Sequence, residues 1–221
     1  MSIKGLIFDF DGLILDTEMP CFLSWVELFD QYGHTFTMQD YGRIIGTDNS
    51  KFNPAQYLKE LTKGLVEPNE VNSRILVRTR ELIEQQSLLP GVLKTLDSAK
   101  ELGLPMAVAS SSKRSWVEGY LSRLQIRSYF SAVCTFEDVK SVKPNPELFL
   151  LASQRIGCSP TEVIVFEDSP NGIKAAHSAG SCCIAIPNQI TSSMDLSLAN
   201  RIVSSFNEID LYALIKNENC S

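Results

Sequence analysis

Leu6-Ile7-Phe8-Asp9-Phe10-Asp11-Gly12-Leu13-Ile14-Leu15-Asp16-Thr17-Glu18 begins as an apolar run and closes it with two carboxylates one residue apart, followed at once by glycine. A short continuous apolar run bounded by such residues reads as a buried strand. Side chains alternate along extended backbone, so Asp9 and Asp11 are expected on one face at the carboxyl end of that strand, where open α/β sheets hold their ligands. Two carboxylates that close repel each other. They become useful together beside a divalent cation, or when one is ionised and the other keeps a proton. Asp-x-Asp-Gly is also common as a plain turn and as part of a calcium loop. The calcium loop needs further oxygen ligands at regular spacing, and Leu13, Ile14 and Leu15 offer none from their side chains.

Outward from this stretch the chain divides by rhythm. From Pro90 onward, apolar runs at Leu104 to Ala109, Ala132 to Thr135, Val163 to Phe166 and Cys182 to Ile186 alternate with helical patterns. The helices are expected at Val92 to Leu102, Ser112 to Leu124, Pro146 to Ile156 and Pro170 to Ala179, with Gly103 and Gly180 placed to end two of them. That alternation predicts an α/β fold with a doubly wound, Rossmann-like parallel sheet. Residues 17–87 break it. Phe22, Trp25, Val26 and Phe29 lie at helical spacing, Ala55 to Leu61 suits a short helix, and Val71, Ile75, Leu82 and Ile83 suit a long one. The expected organisation is a core domain of residues 1–16 and 88–221 interrupted by an all-helical insert, residues 17–87. The aromatic stripe is expected to pack as that insert's own core. Its two connections to the core domain should lie side by side and act as a hinge.

A chain of 221 residues can bury a sizeable core. With 26 acidic against 20 basic residues and no basic block, small-molecule chemistry is a better expectation than a nucleic-acid surface. The six cysteines have neither framework spacing nor a Cys-x-x-Cys pattern. Cys182 and Cys183 should pack as small hydrophobes in a reduced, cytoplasmic protein. No apolar run approaches the ~20 residues needed to span a bilayer, so no membrane partner is expected.

Polar groups recur where the later strands end. Ser110-Ser111-Ser112-Lys113 places hydroxyls and backbone N–H groups at the start of a helix, a ready anion site, with one serine expected to cap that helix. Lys143 precedes Pro144 at another helix start. Glu167-Asp168 forms a second carboxylate pair, of which an N-cap would use only one.

Together these four clusters resemble the motifs of the haloacid dehalogenase superfamily, in the phosphatase and β-phosphoglucomutase-like branch whose helical cap is inserted after the first strand. The resemblance rests on Asp9-Phe10-Asp11-Gly12 with Asp16 and Thr17, on Ser110, on Lys143-Pro144 and on Glu167-Asp168, and it spans essentially the whole chain. It implies a magnesium-dependent phosphatase. Asp9 would be the nucleophile that becomes an aspartyl phosphate, and Asp11 the acid that protonates the leaving oxygen and then the base that activates water. Mg2+ would be held by Asp9, by the backbone carbonyl of Asp11, by Asp168 and by Glu167. Ser110, Ser111 and Lys143 would bind the transferring phosphate, with Gly12 allowing close backbone approach.

Within that branch the mutases carry a cap histidine and a cap arginine where this chain has Cys21 and Asn49, so the phosphatase reading is preferred to the mutase one. Glu18 is a candidate substrate or water contact. A non-catalytic binding protein on the same fold is a third reading, opposed by the presence of every core catalytic position. The expected partner is a small phosphorylated metabolite such as a sugar, polyol or nucleoside phosphate, with the protein a monomer or weak homo-oligomer.

Overall fold

Among the described residues six short strands form one sheet in the order β3-β2-β1-β4-β5-β6, every neighbouring pair parallel. The computed structural model describes residues 2–44 and 52–216. The strands are β1 Gly5–Phe8, β2 Met106–Ala109, β3 Ala132–Cys134, β4 Val163–Glu167, β5 Cys182–Ala185 and β6 Arg201–Ile202. The chain divides into two compact units, Met1–Leu15 with Ser87–Ser221, and Asp16–Gln86.

In the first unit the sheet is covered on both faces, as a parallel sheet must be. Strand alternation sends Ile7, Ala107, Val165 and Cys183 to one face, against Leu148, Phe149, Ile173 and Ala176. Those last four lie on the helices α7, Glu147–Arg155, and α8, Pro170–Ala179. Phe8, Phe130, Phe166 and Phe206 cluster elsewhere in the core, Phe8 lying 5.0 Å from Phe166 and 5.8 Å edge-on to Phe130. Burying each such ring contributes about 2–3 kcal/mol, so these side chains fix the strand ends beneath the polar residues that follow them. Helix α8 has a complete set of stop and start signals: Ser169 caps its N-terminus by accepting from Gly172 N, Pro170 stands in the first turn, and Gly180 closes it at φ +76°. The unit also contains α5 Val92–Glu101, α6 Arg114–Arg123 and α9 Leu211–Lys216.

The second unit is helical throughout its described residues: α1 Glu18–Gln31, α2 Met38–Gly42, α3 Pro54–Leu61 and α4 Pro68–Glu84. The aromatic stripe packs inside it as expected, Phe29 lying 4.7 Å from Phe36 and 5.9 Å from Tyr57. Val71, Ile75, Thr79 and Ile83 form the buried stripe of α4. Where the chain leaves and re-enters the first unit, Leu15 bridges Leu88 antiparallel and Leu89 N donates to Ile14 O at 3.0 Å.

The structure departs from the sequence reading in two strands, one helix, one cysteine and the bounds of the helical unit, Asp16–Gln86 against the expected 17–87. Strand β4 runs one residue further than its apolar run, because Glu167 is still in the ladder opposite Ala185. Strand β6 carries no apolar signal, since both its residues are exposed at the sheet edge. Helix α2 is only five residues long and is held by a capping box between Thr37 and Asp40 rather than by periodicity. Cys183 is buried as a packed thiol, but Cys182 is half-exposed and disulfide-bonded, which corrects the all-reduced expectation; Cys21, Cys134, Cys158 and Cys183 are free. Among the described residues no helix is long and apolar enough to cross a membrane.

Candidate active site

The strand order reverses between β1 and β4, and the carboxyl ends on either side of such a switch point open a crevice. Register brings the candidates there: Phe8 pairs with Val108 on one side and Phe166 on the other, so Asp9, Ser110 and Glu167 follow at nearly the same level. Asp9 N donates to Phe166 O at 3.0 Å and Ser110 N to Cys134 O at 3.0 Å, which continues the ladders just past the strands.

Lys143 ties the two carboxylates together. Its Nζ donates to Asp9 Oδ1 and, at 2.6 Å, to Glu167 Oε1, with all three side chains buried. The other Glu167 oxygen accepts from Asp168 N at 3.0 Å, Ser169 N at 3.1 Å and Ser169 Oγ at 3.0 Å. A buried carboxylate with four donors is a fixed part of the frame. Burial pushes Asp9 up to about 8, Lys143 pulling against it and the charges of Glu167 and Asp11 adding to it. Burial also works to strip the proton from Lys143, but Asp9 and Glu167 overcome it and hold the ammonium above its ordinary value.

Carboxylate oxygens of Asp9, Glu167 and Asp168 lie within 4.8 Å of one another, all buried. Three buried acids gather here, and a bound cation would offset their charge. Oxygen-only donors suit a hard divalent ion such as magnesium, and these residues therefore fit the metal that the sequence implies. Gly12 sits at φ +76° with Asp168 Oδ2 only 2.5 Å from where its Cβ would be, so any side chain there would strike the acid cluster.

Asp11 does not share partners with Asp9. The strand ends at Phe8 and the chain turns at Gly12, whose N donates to Leu15 O at 2.8 Å, and Asp11 meets partners of its own. Asp11 Oδ2 accepts from Ser112 Oγ at 2.6 Å and Ser110 Oγ at 3.2 Å, and Oδ1 accepts from Trp116 Nε1 at 2.8 Å. Ser111, between the two serines, is exposed. No serine caps α6; instead Glu137 accepts from Arg114 N at 3.0 Å, because Ser110 Oγ is already engaged by Ser112 N and Asp11. Glu18 lies in the helical unit, where Tyr41 donates its hydroxyl to Glu18 Oε2 at 2.9 Å. Cys21 is there too, with burial pushing its thiol up so that it is neutral. Asn49 lies outside the described residues.

Two neighbours of the site, Trp116 and Asn188, and the contact of Ser112 with Asp11 were not anticipated from the sequence. Trp116 and Ser112 reach Asp11, and Asn188 donates to Asp168 Oδ2 at 2.7 Å and to Gly12 O at 3.3 Å. Asn188 is locked in turn by Ile190 N and Thr191 N on its side-chain oxygen. An asparagine after Ile186-Pro187 was the available signal, at the end of a strand already expected to reach the crevice.

Gly172 makes the sharpest steric demand in the site. A Cβ there would lie 1.8 Å from Glu167 Oε1 and 1.9 Å from its Cδ. Glu167 is fully buried and pinned by Lys143, so it cannot step aside. Gly172→Ala is therefore expected to destabilise the protein by about 3 kcal/mol or more, through overpacking and a displaced buried charge. Urea unfolding of the two proteins checks this, and a change under about 0.5 kcal/mol, the range of a neutral surface substitution, would show that the pocket is softer than argued.

The chain belongs to the haloacid dehalogenase-like hydrolases, whose family model matches residues 6–186. It is 39% identical to YhcW of Bacillus subtilis (strain 168) over 98% of each chain. It is 36% identical to the fructose-1-phosphate phosphatase YqaB of Escherichia coli (strain K12), over 80% of this chain and 92% of that one. The fold is also that of beta-phosphoglucomutase from Clostridium difficile, with a TM-score of 0.74 and 24% identity over 98% of each chain. These relatives put the chain among the phosphoric monoester hydrolases of the family.

Proposed function

We propose that this protein is a magnesium-dependent phosphatase that hydrolyses a small phosphorylated metabolite, a sugar, polyol or nucleoside phosphate, through an aspartyl phosphate on Asp9. The observation that carries the reading is the buried Asp9–Lys143–Glu167 chain with Asp168 beside it. Asp9, Glu167, Asp168 and the backbone carbonyl of Asp11 would hold magnesium, which when bound offsets the charge between an anionic nucleophile and an anionic phosphate.

The remaining steps belong to the chain itself. Asp9 Oδ attacks phosphorus, and the bond from phosphorus to the ester oxygen breaks. Asp11 gives its proton to the departing alcohol, then takes one from the water that cleaves the acyl phosphate, returning Asp9 as a carboxylate. Lys143 and Ser110, with the backbone N–H groups that follow it, balance charge on the transferring oxygens, and Lys143 holds Asp9 in one orientation while doing so.

The sugar-phosphate preference is supported by the name of YqaB at 36% identity. A mutase must keep a bisphosphate and exclude water, and the neutral Cys21 thiol is a poor substitute for a proton-carrying histidine. The proposed compartment is the cytoplasm, supported by four free thiols, with the Cys182 disulfide as the feature that runs against it.

The test is a phosphate-release screen over sugar, polyol, nucleoside and short-acid phosphates, with magnesium, with chelator, and with Asp9→Asn. Release that needs both metal and Asp9 supports the proposal, and the ranking gives the substrate class. Conversion of β-glucose 1-phosphate to glucose 6-phosphate with a bisphosphate primer, without net release, would favour the mutase; silence throughout would favour a binding protein.

Metal binding should also be proton-linked. Because burial keeps a proton on Asp9 up to about pH 8, each magnesium bound below that pH must displace it. Calorimetric affinity is expected to weaken by up to about tenfold for each pH unit below 8, with proton release that scales with buffer ionisation heat. Affinity that is flat from pH 6 to 8 would show that Asp9 is ionised without metal.

A further inference from the structure

We propose that Trp116 is a positioning residue for proton transfer, its indole N–H orienting the Asp11 carboxyl so that Oδ2 is the oxygen that gives and takes the proton. The inference rests on the proposed phosphatase reading for the role of Asp11, and on the geometry for the role of Trp116.

The two oxygens of Asp11 are held by different kinds of donor. Oδ1 accepts from Trp116 Nε1 at 2.8 Å, and an indole nitrogen can only donate. Oδ2 faces the hydroxyls of Ser112 at 2.6 Å and Ser110 at 3.2 Å, and a hydroxyl rotates between donating and accepting. A proton on Oδ1 would confront the indole N–H. A proton on Oδ2 meets groups that can turn to accept it. The carboxyl therefore has one oxygen that stays an acceptor through the cycle and one that can change state, and Trp116 decides which is which.

The indole is itself anchored. Trp116 meets Tyr120 edge-on with centroids 4.7 Å apart, and Tyr120 stacks on Phe10 at 6.4 Å. Trp116 and Tyr120 are four residues apart on α6, so they share a helix face. Phe10 is fully buried between Asp9 and Asp11 in sequence. The ladder from Phe10 through Tyr120 to Trp116 thus starts and ends on the same short segment, which holds the donor to the acid without an extra hinge.

A merely structural tryptophan and a positioning one differ in how they depend on the leaving group. Expulsion of an alkoxide from a sugar phosphate needs an acid, whereas dinitrophenolate leaves without a proton. The measurement compares kcat/KM, which reports steps up to alcohol release, for fructose 1-phosphate and for dinitrophenyl phosphate. Wild type, Trp116→Phe and Asp11→Asn are each assayed with magnesium. Phenylalanine keeps the aromatic ladder and removes only the donor. General acids contribute about 10²–10⁴-fold, so loss of their orientation is expected to reduce the alkyl ester at least about tenfold more than the aryl ester. Asp11→Asn should show the same selectivity, more strongly.

A second arm reads the bond itself. The chain has two tryptophans, so its indole ¹H–¹⁵N spectrum has two signals, and Trp116→Phe assigns them. The Trp116 signal is expected to move in Asp11→Asn, where the carboxyl acceptor becomes an amide, and the Trp25 signal to stay. An unmoved Trp116 signal, or equal losses on both esters in Trp116→Phe, would overturn the inference. If Asp11→Asn is selective and Trp116→Phe is not, the positioning role alone fails. If the wild-type protein releases phosphate from no ester of the screen, the functional reading fails, while the spectrum still tests the contact.

Discussion

Lys143→Met is expected to lower kcat/KM by about 10³-fold and, in chelator, to destabilise the fold by about 3–5 kcal/mol. Methionine nearly conserves volume, so the effect isolates charge. The lysine is paired with both Asp9 and Glu167, and all three side chains are at most 9% exposed. Removing it leaves Glu167, and above about pH 8 Asp9 as well, buried without the ammonium each is paired with, the case in which breaking a buried pair costs far more than the pair was worth. Two controls follow from the same physics. Magnesium should recover part of the stability, because a cation can take over the neutralising role. Acid should recover part as well, since protonating either carboxylate removes the repulsion. Urea unfolding at several pH values, with and without magnesium, reads both. A variant as stable as the parent in chelator at pH 8 would show that water, not Lys143, solvates the two acids.

Asp9→Asn should reduce turnover by on the order of 10⁴-fold or more, the scale seen when a nucleophile is removed. Its stability should move the other way. In the metal-free protein Asp9 is raised above its unfolded value, chiefly by burial. A raised acid favours the fold while protonated, and that contribution is lost as pH rises from the ordinary carboxylate range to about 8. Asparagine is neutral throughout. The melting temperature of Asp9→Asn relative to wild type, in chelator, is therefore expected to climb between pH 4 and 8, by about 2–4 °C for each kcal/mol gained. With magnesium present the difference should shrink or reverse, because wild type regains a ligand. A difference independent of pH in chelator would mean that Lys143 already keeps Asp9 ionised.

What the sequence disclosed and what it concealed follow from the range of the interactions involved. Strands β1, β2, β4 and β5 are buried on both faces, and such strands are written as continuous apolar runs. The acids and Lys143 were legible because each directly ends a strand or precedes a helix. Trp116 was not, because its meeting with Asp11 depends on the phase of α6 and crosses 105 residues of chain. Asn188 depends in the same way on the path of a loop, reaching Gly12 across 176 residues. The serine cap was misjudged for a related reason. Local rules favoured one of the serines, but Asp11 engages the hydroxyls of Ser110 and Ser112, and Glu137 took the vacant helix start. Strand β6 has two exposed residues and exists only through its pairing with β5. The same limit explains Gly172: its need for a missing Cβ comes from Glu167 lying in that space, which no local pattern announces.

The most direct test of a nucleophilic Asp9 is to quench a pre-steady-state reaction, reduce with borohydride, and locate homoserine by mass spectrometry, since an acyl phosphate is reduced where a carboxylate is not. Homoserine is expected at position 9, dependent on substrate and magnesium. Reduction at another residue, or turnover at full rate with residue 9 recovered only as aspartate, would contradict it.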